Sequence, residues 1–233
     1  AIVGSGSKLY AFAEGRKGGC GDFGDVDILL RISNNRGKSW TEPHVVVDNG
    51  SLQAGNPTPV IDVLNPNFPG GRLMLFYNTG TQSEWETRSG NGRRKAFYKF
   101  SSDLGISWSE PFDISNEVHF DRFSTIAFND ARTFALGPGH AIQLATGSKK
   151  GRIYLPANHS LGDPQENFVA VGRDAADFYL RGLSLQFRSM GPKYRTLRYP
   201  ENVLPHVEGQ LFLEPEDLNV VNTDVTTTRE RCF

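Results

Sequence analysis

The chain has 233 residues, enough for one domain of ordinary size, and 38% of them are hydrophobic, enough to bury a core. Twenty-five basic residues against 26 acidic ones leave a net charge of −1, which removes the electrostatic case for a nucleic-acid partner. No apolar run approaches the roughly 20 residues of a membrane-spanning helix, and two cysteines, Cys20 and Cys232, are too few for a disulfide framework or a zinc cluster.

Twenty-five glycines and 13 prolines punctuate short apolar runs. In chain order these are 8–13, 26–32, 45–47, 60–63, 72–77, 96–100, 152–156 and 210–213, each bounded by turn residues. None holds a helical period for three clean turns; 120–130 and 175–185 come nearest and are interrupted. Short strands separated by polar turns predict an all-β fold, either a sandwich or radial blades.

An internal repeat narrows the choice. Ser33-Asn34-Asn35-Arg36-Gly37-Lys38-Ser39-Trp40 is followed by Thr41-Glu42-Pro43, and Ser101-Ser102-Asp103-Leu104-Gly105-Ile106-Ser107-Trp108 by Ser109-Glu110-Pro111. Both read Ser-x-Asp/Asn-x-Gly-x-Ser-Trp-x-Glu-Pro after an apolar run. Asp or Asn bonds the backbone two residues on, Gly accepts positive φ, and Trp folds back to seal the turn. A third, eroded copy falls at 180–187, where Phe187 keeps the aromatic anchor. Repeated units in an all-β chain favour a propeller over a sandwich.

Chemistry-bearing residues concentrate near the start. Leu9 to Arg16 reads as a strand ending in arginine, and six residues later Asp22 lies in Gly21-Asp22-Phe23-Gly24-Asp25-Val26-Asp27. An arginine on a rigid strand end and a carboxylate on a loop loosened by Gly18, Gly19 and Gly21 make an acid/base-plus-anion site. A plain turn would read the same way.

The repeat resembles the Asp box of the sialidase (neuraminidase) superfamily, whose members are six-bladed β-propellers. Ala11-Phe12-Ala13-Glu14-Gly15-Arg16, the Gly-Asp-x-Gly-Asp loop and the first box together resemble the opening of exo-sialidases. That resemblance implies removal of terminal sialic acid from glycoproteins, glycolipids and oligosaccharides with retention, and needs no metal or organic cofactor. It implies that Arg16 contacts the anionic sugar, as one of three clamp arginines or their neighbour, and that Asp22 is the general acid/base, its pKa raised by burial or nearby negative charge. Asp25 and Asp27 are then structural. Gly137-Pro138-Gly139-His140 to Leu144, followed by Gly151 to His159, is similar to a family segment whose strand ends in Pro-Ala or Pro-x-Asn, which makes Asn158 and His159 candidate substrate contacts, a plain strand-end turn being the alternative. Asn56-Pro57-Thr58-Pro59-Val60 is similar to a second-blade entry.

The chain also departs from the family. It starts at Ala1-Ile2-Val3, just after the place where an Arg-Ile-Pro clamp arginine is expected, so a partial copy is the expectation. Glu201 is the best positional match for the tyrosine-activating glutamate, yet Glu214-Pro215-Glu216-Asp217 stand where a further clamp arginine belongs. None of the seven tyrosines is assignable as the nucleophile. At a box spacing of roughly 70 residues, the chain builds three to four blades of one propeller domain spanning 1–233, matched well over 1–160, weakly over 161–218 and not over 219–233. Weak or no activity of this chain alone follows. The rival reading is a non-catalytic Asp-box propeller that binds glycans or proteins. Compartment is left open.

Overall fold

The computed structural model of the protein describes residues 1–118, 131–137, 139–147, 150–162, 169–178 and 185–189. Their regular secondary structure is almost entirely strand. The first four, β1 (Ile2–Ser5), β2 (Lys8–Arg16), β3 (Val26–Ser33) and β4 (His44–Val47), pair antiparallel in chain order. The next four, β5 (Gln53–Asp62), β6 (Arg72–Gly80), β7 (Lys95–Ser101) and β8 (Phe112–Asp113), do the same, with helix α1 (Glu84–Arg88) between β6 and β7 and α2 (Ser115–Val118) after β8. One parallel pair, Val26 beside Gln53, joins the two meanders. A second sheet, the third meander, contains β9 (Ala131–Leu136), β10 (Ile142–Gln143), β11 (Ile153–Gly162), β12 (Val169–Phe178) and β13 (Leu185–Ser189), with β11 lying between β9 and β12. Successive meanders are propeller blades, and no sheet closes on itself among the described residues.

Blade packing explains the strand sequences. Arg72 to Tyr77 reads as a continuous apolar run because β6 is covered on both faces. Leu73, Leu75 and Tyr77 join Tyr10, Phe12, Ile28, Leu30, Val46 and Val47 in the core toward the first blade. Met74 and Phe76 join Tyr98, Phe134, Leu136, Ile153 and Leu155 in the core toward the third. The period of two sends alternate side chains to opposite neighbours, and full burial of each large one is worth roughly 1.5–3 kcal/mol.

Polar staples sit in the same seams. Asn78, buried on β6, donates to the Phe134 carbonyl (2.7 Å) and the Lys95 carbonyl (3.0 Å) and accepts from the Leu136 amide (2.7 Å). Fully buried Asp62 accepts from Arg72 (2.9 Å) and from Gln143 of the third blade (2.6 Å). Arg72 also lies over the rings of Phe68 and Phe100.

The two Asp boxes superimpose in chemistry. Ser33 and Ser101 hydroxyls accept from the amides of Gly37 (2.8 Å) and Gly105 (2.7 Å). Asn35 and Asp103 accept from the amides of Ser39 and Ser107, both at 2.9 Å. Glycine is not alone at positive φ: Arg36 and Leu104, both at 58°, precede Gly37 and Gly105 in the left-handed region. The tryptophans diverge. Trp40 seals its own turn by donating to Gly37 O (3.1 Å), whereas Trp108 packs edge-on against Phe12 of the first blade, at 6.1 Å. Phe187 of the eroded copy lies in β13 opposite Ala176, while its turn at 180–184 is outside the described residues.

Several strands run further than the apolar runs that announced them. The run 60–63 is the end of a strand beginning at Gln53, and 152–156 the start of one continuing to Gly162. The runs 210–213 and 120–130 lie outside the described residues; residues 175–178 belong to β12.

Asn78→Ala should cost about 2–4 kcal/mol, because the Leu136 amide and Phe134 carbonyl stay buried with a partner removed; urea unfolding measures it. The Ser107 hydroxyl and amide hold the Asp103 carboxyl far below the usual carboxylate range. The folded value being depressed, this stabilisation is complete above the unfolded value of about 3.9 and fades as pH falls through the folded one. The melting-temperature gap between wild type and Asp103→Asn should therefore hold from pH 7 to 5 and shrink below pH 4.

Candidate active site

The strands β2 and β3 place the boxes and the candidate residues at opposite ends. Leu9 pairs with Ser33, where the first box begins, and Arg16 pairs with Val26 at the far end. Seven residue steps at about 3.3 Å put roughly 23 Å between them. Along the Arg16 edge lie Val26, Gln53 and Gly80, each beside the next. The 17–25 connection rises from this edge.

Arg16 and Asp22 are brought together. Arg16 Nη2 lies 3.0 Å from Asp22 Oδ1 and 2.9 Å from Glu14 Oε2, while Nη1 donates to the Cys20 carbonyl (2.8 Å). Glu14 and Arg16 share a face of β2 because they are two residues apart. The other Glu14 oxygen, Oε1, accepts from the Asn56 amide (2.8 Å). Gln53 Nε2 donates to the Asp22 carbonyl (2.6 Å), tying the loop to the start of β5. The burial expected around the acid is not there: the Asp22 side chain is 93% exposed, since it sits on a loop above the sheet edge and not between blades.

Asp25 and Asp27 form a separate cluster. Lys17 Nζ lies 2.9 Å from Asp27 Oδ2 and 3.1 Å from Asp25 Oδ1, and the Asp27 side chain is only 3% exposed. Hydrogen bonds to Asp27 and then Asp25 hold the Lys17 ammonium well above the usual lysine range. This pair fastens the base of the loop to β3.

Asn158 and His159 are not at a strand end. The strand continues past Pro156, so Asn158 pairs with Ala135 and Arg173, and His159 with Phe134 and Gly172, inside β11. Glu201 lies outside the described residues, as do Tyr179, Tyr194 and Tyr199. Tyr10, Tyr77 and Tyr98 are core residues, and burial pushes the Tyr77 hydroxyl up. Among the described residues no three His, Cys, Asp or Glu side chains gather to hold a metal, and no helix is long and apolar enough to cross a membrane.

Glu14 and Gln53 were given no role from sequence, and Asn56 only a structural place in a second-blade entry. A signal existed for Glu14, the period-two spacing to Arg16; none existed for Gln53, which meets Asp22 only across blades.

Radial meanders carrying Asp boxes define a propeller of the sialidase type. A BNR repeat-like domain matches residues 7–178, and the chain belongs to that family. It is 32% identical over 174 residues to an exo-alpha-sialidase of Aspergillus fumigatus, covering 64% of this chain and 38% of that one. It is 39% identical over 105 residues to human sialidase-3, covering 44% and 21%. The fold resembles that of a Trypanosoma rangeli sialidase in complex with the inhibitor DANA, with a TM-score of 0.60 and 18% identity over 80% of this chain and 29% of that chain. The chain thus spans well under half the length of the relatives it matches.

The raised Lys17 value means its stabilisation is complete below the unfolded value of about 10.4 and is lost as pH rises through the folded one. Lys17→Met should lower the melting temperature relative to wild type by a constant amount from pH 7 to 9, and the gap should close only above pH 10.

Proposed function

We propose that this chain is part of an exo-α-sialidase, a glycoside hydrolase acting on terminal sialic acids of glycoproteins, glycolipids and oligosaccharides. The observation that carries the reading is the Arg16–Asp22 contact at 3.0 Å, set on a β-strand end in a chain whose relatives are sialidases. Sialic acid carries a carboxylate beside its anomeric carbon, and a planar guanidinium binds anionic and hydroxyl oxygens with directional, permanently charged donors. In the proposed reaction Asp22 gives its proton to the glycosidic oxygen as the carbon–oxygen bond breaks. A tyrosine takes the anomeric carbon, and water then releases the sugar with retention. That tyrosine and the other clamp arginines have no assigned residue here, and Glu201, Asn158 and His159 keep their proposed roles as activating carboxylate and substrate contacts. The bound sugar would cover the exposed Asp22 carboxyl and supply the desolvation the free site lacks.

Calorimetry with 2-deoxy-2,3-didehydro-N-acetylneuraminic acid should show binding that weakens about tenfold or more in Arg16→Ala. A fluorogenic sialoside should be hydrolysed slowly by this chain alone, and Asp22→Asn should lower that rate by roughly 10²–10⁴. Binding with no hydrolysis at all would transfer the site to the rival reading, a glycan-binding propeller. Absence of binding would remove both.

A further inference from the structure

We propose that Gln53 is the positioning residue for the acid of this site: by holding the Asp22 carbonyl from the neighbouring blade, it fixes the peptide from which the Asp22 carboxyl reaches the glycosidic oxygen. The proposal rests on the sialidase reading for the reaction, but the contact that carries it stands apart from that reading.

Asp22 is poorly ordered by its own loop. Gly18, Gly19, Gly21 and Gly24 surround it, with Gly19 at φ 134° and Gly24 at 129°, conformations that residues with side chains rarely adopt. The loop is fastened at its base, where the Lys17 amide donates to the Asp25 carbonyl (3.0 Å) and the Lys17 ammonium lies between Asp25 and Asp27. Further along, the Asp22 side chain is almost wholly in solvent, so packing does not order it.

Gln53 is placed the opposite way. It is 5% exposed, pairs with Val26 in the parallel pair that joins the first two blades and with Gly80 in the antiparallel ladder, and its carbonyl accepts from Asn49 Nδ2 (3.1 Å). A Cβ at Gly55 would stand 3.2 Å from its Nε2 and one at Gly80 3.9 Å from its Oε1, so its amide lies in a slot between two glycines. From that slot Nε2 donates to the Asp22 carbonyl at 2.6 Å, across 31 positions of chain. A buried donor at the start of one blade therefore sets the peptide plane of an exposed acid on another. The carboxyl keeps its own side-chain rotations and loses the backbone ones.

Proton transfer requires such placement. Asp22 gives its proton to the leaving oxygen while the carbon–oxygen bond breaks and its electron pair moves onto that oxygen. A donor misplaced by about 1 Å loses roughly 10²-fold in rate. The demand depends on the leaving group: a sugar alkoxide needs the proton, whereas an acidic phenol departs nearly without it. A group that places the acid matters for the first and hardly for the second. A group that merely supports the fold matters equally for both.

Gln53→Met, which keeps the side-chain length and removes the donor, separates these roles. Hydrolysis of a sialyl-galactoside should slow about tenfold in kcat with little change in KM, and that of 4-methylumbelliferyl sialoside by less than about threefold. Gln53→Leu should behave alike and serves if Gln53→Met is not folded by circular dichroism. In an Asp22→Asn background Gln53→Met should cost nothing further, because the acid it places is gone. Nitrogen-15 relaxation gives a readout that needs no turnover. The Phe23 amide shares a peptide unit with the Asp22 carbonyl, and its order parameter should fall from about 0.85 in wild type to below about 0.6 in Gln53→Met. Equal losses on the two substrates would overturn the proposal, as would an unchanged Phe23 order parameter. If the wild-type chain hydrolyses neither substrate, the sialidase reading fails, and the Phe23 order parameter alone decides whether Gln53 positions Asp22.

Discussion

Everything in this molecule is organised around a strand buried on both faces. β6 sends Leu73, Leu75 and Tyr77 one way and Met74 and Phe76 the other, so the first and third blades are each packed against the second through the same nine residues. Neither core can be emptied without exposing one face of β6 to water. Coupling of this kind turns a row of small sheets into a cooperative unit, because the apolar area that stabilises each blade belongs to the next one. Asn78 continues the even-numbered face as a polar staple, and Asp62 with Arg72 and Gln143 does the same at the other end of β5 and β6.

Rigid strands then separate two jobs. At one end of β2 and β3 the boxes lock the hairpins, with Asn35 accepting the Ser39 amide and Asp103 the amides of Ile106 and Ser107. At the other end the strands release a glycine-rich loop that carries Asp22. A catalytic acid needs freedom to meet a substrate oxygen, and an anion-binding guanidinium needs to stay put. In the proposed reaction the loop would serve the first need and the strand end the second. Lys17 pinned between Asp25 and Asp27 fastens the base of the loop, and Gln53 holds the Asp22 carbonyl further along it.

The all-β class, the blade repeat and the pairing of Arg16 with Asp22 were legible because they rest on local chemistry. Box residues satisfy one another within five positions, and strand runs announce themselves by period and by flanking turns. Less legible were β1, β9 and β12 and the early start of β5, where Gln53 to Thr58 is neither apolar nor alternating. Those segments are strands because neighbouring strands of the same blade supply hydrogen-bond partners. The exposure of Asp22 was not legible, and the strand end expected near Asn158 and His159 was misplaced, for a related reason: burial and strand ends depend on what lies alongside.

By itself the sequence determined the class of fold, the positions of its hairpin locks and the chemical types gathered near Arg16, since each follows from residues within one hairpin. Tertiary structure alone decided that Gln53 holds the Asp22 carbonyl, that Asn56 turns its amide to Glu14, and that Asn78 staples two blades. Those contacts join residues 31 to 56 positions apart. No local pattern encodes them, because they exist only once burial of β6 has brought the blades together.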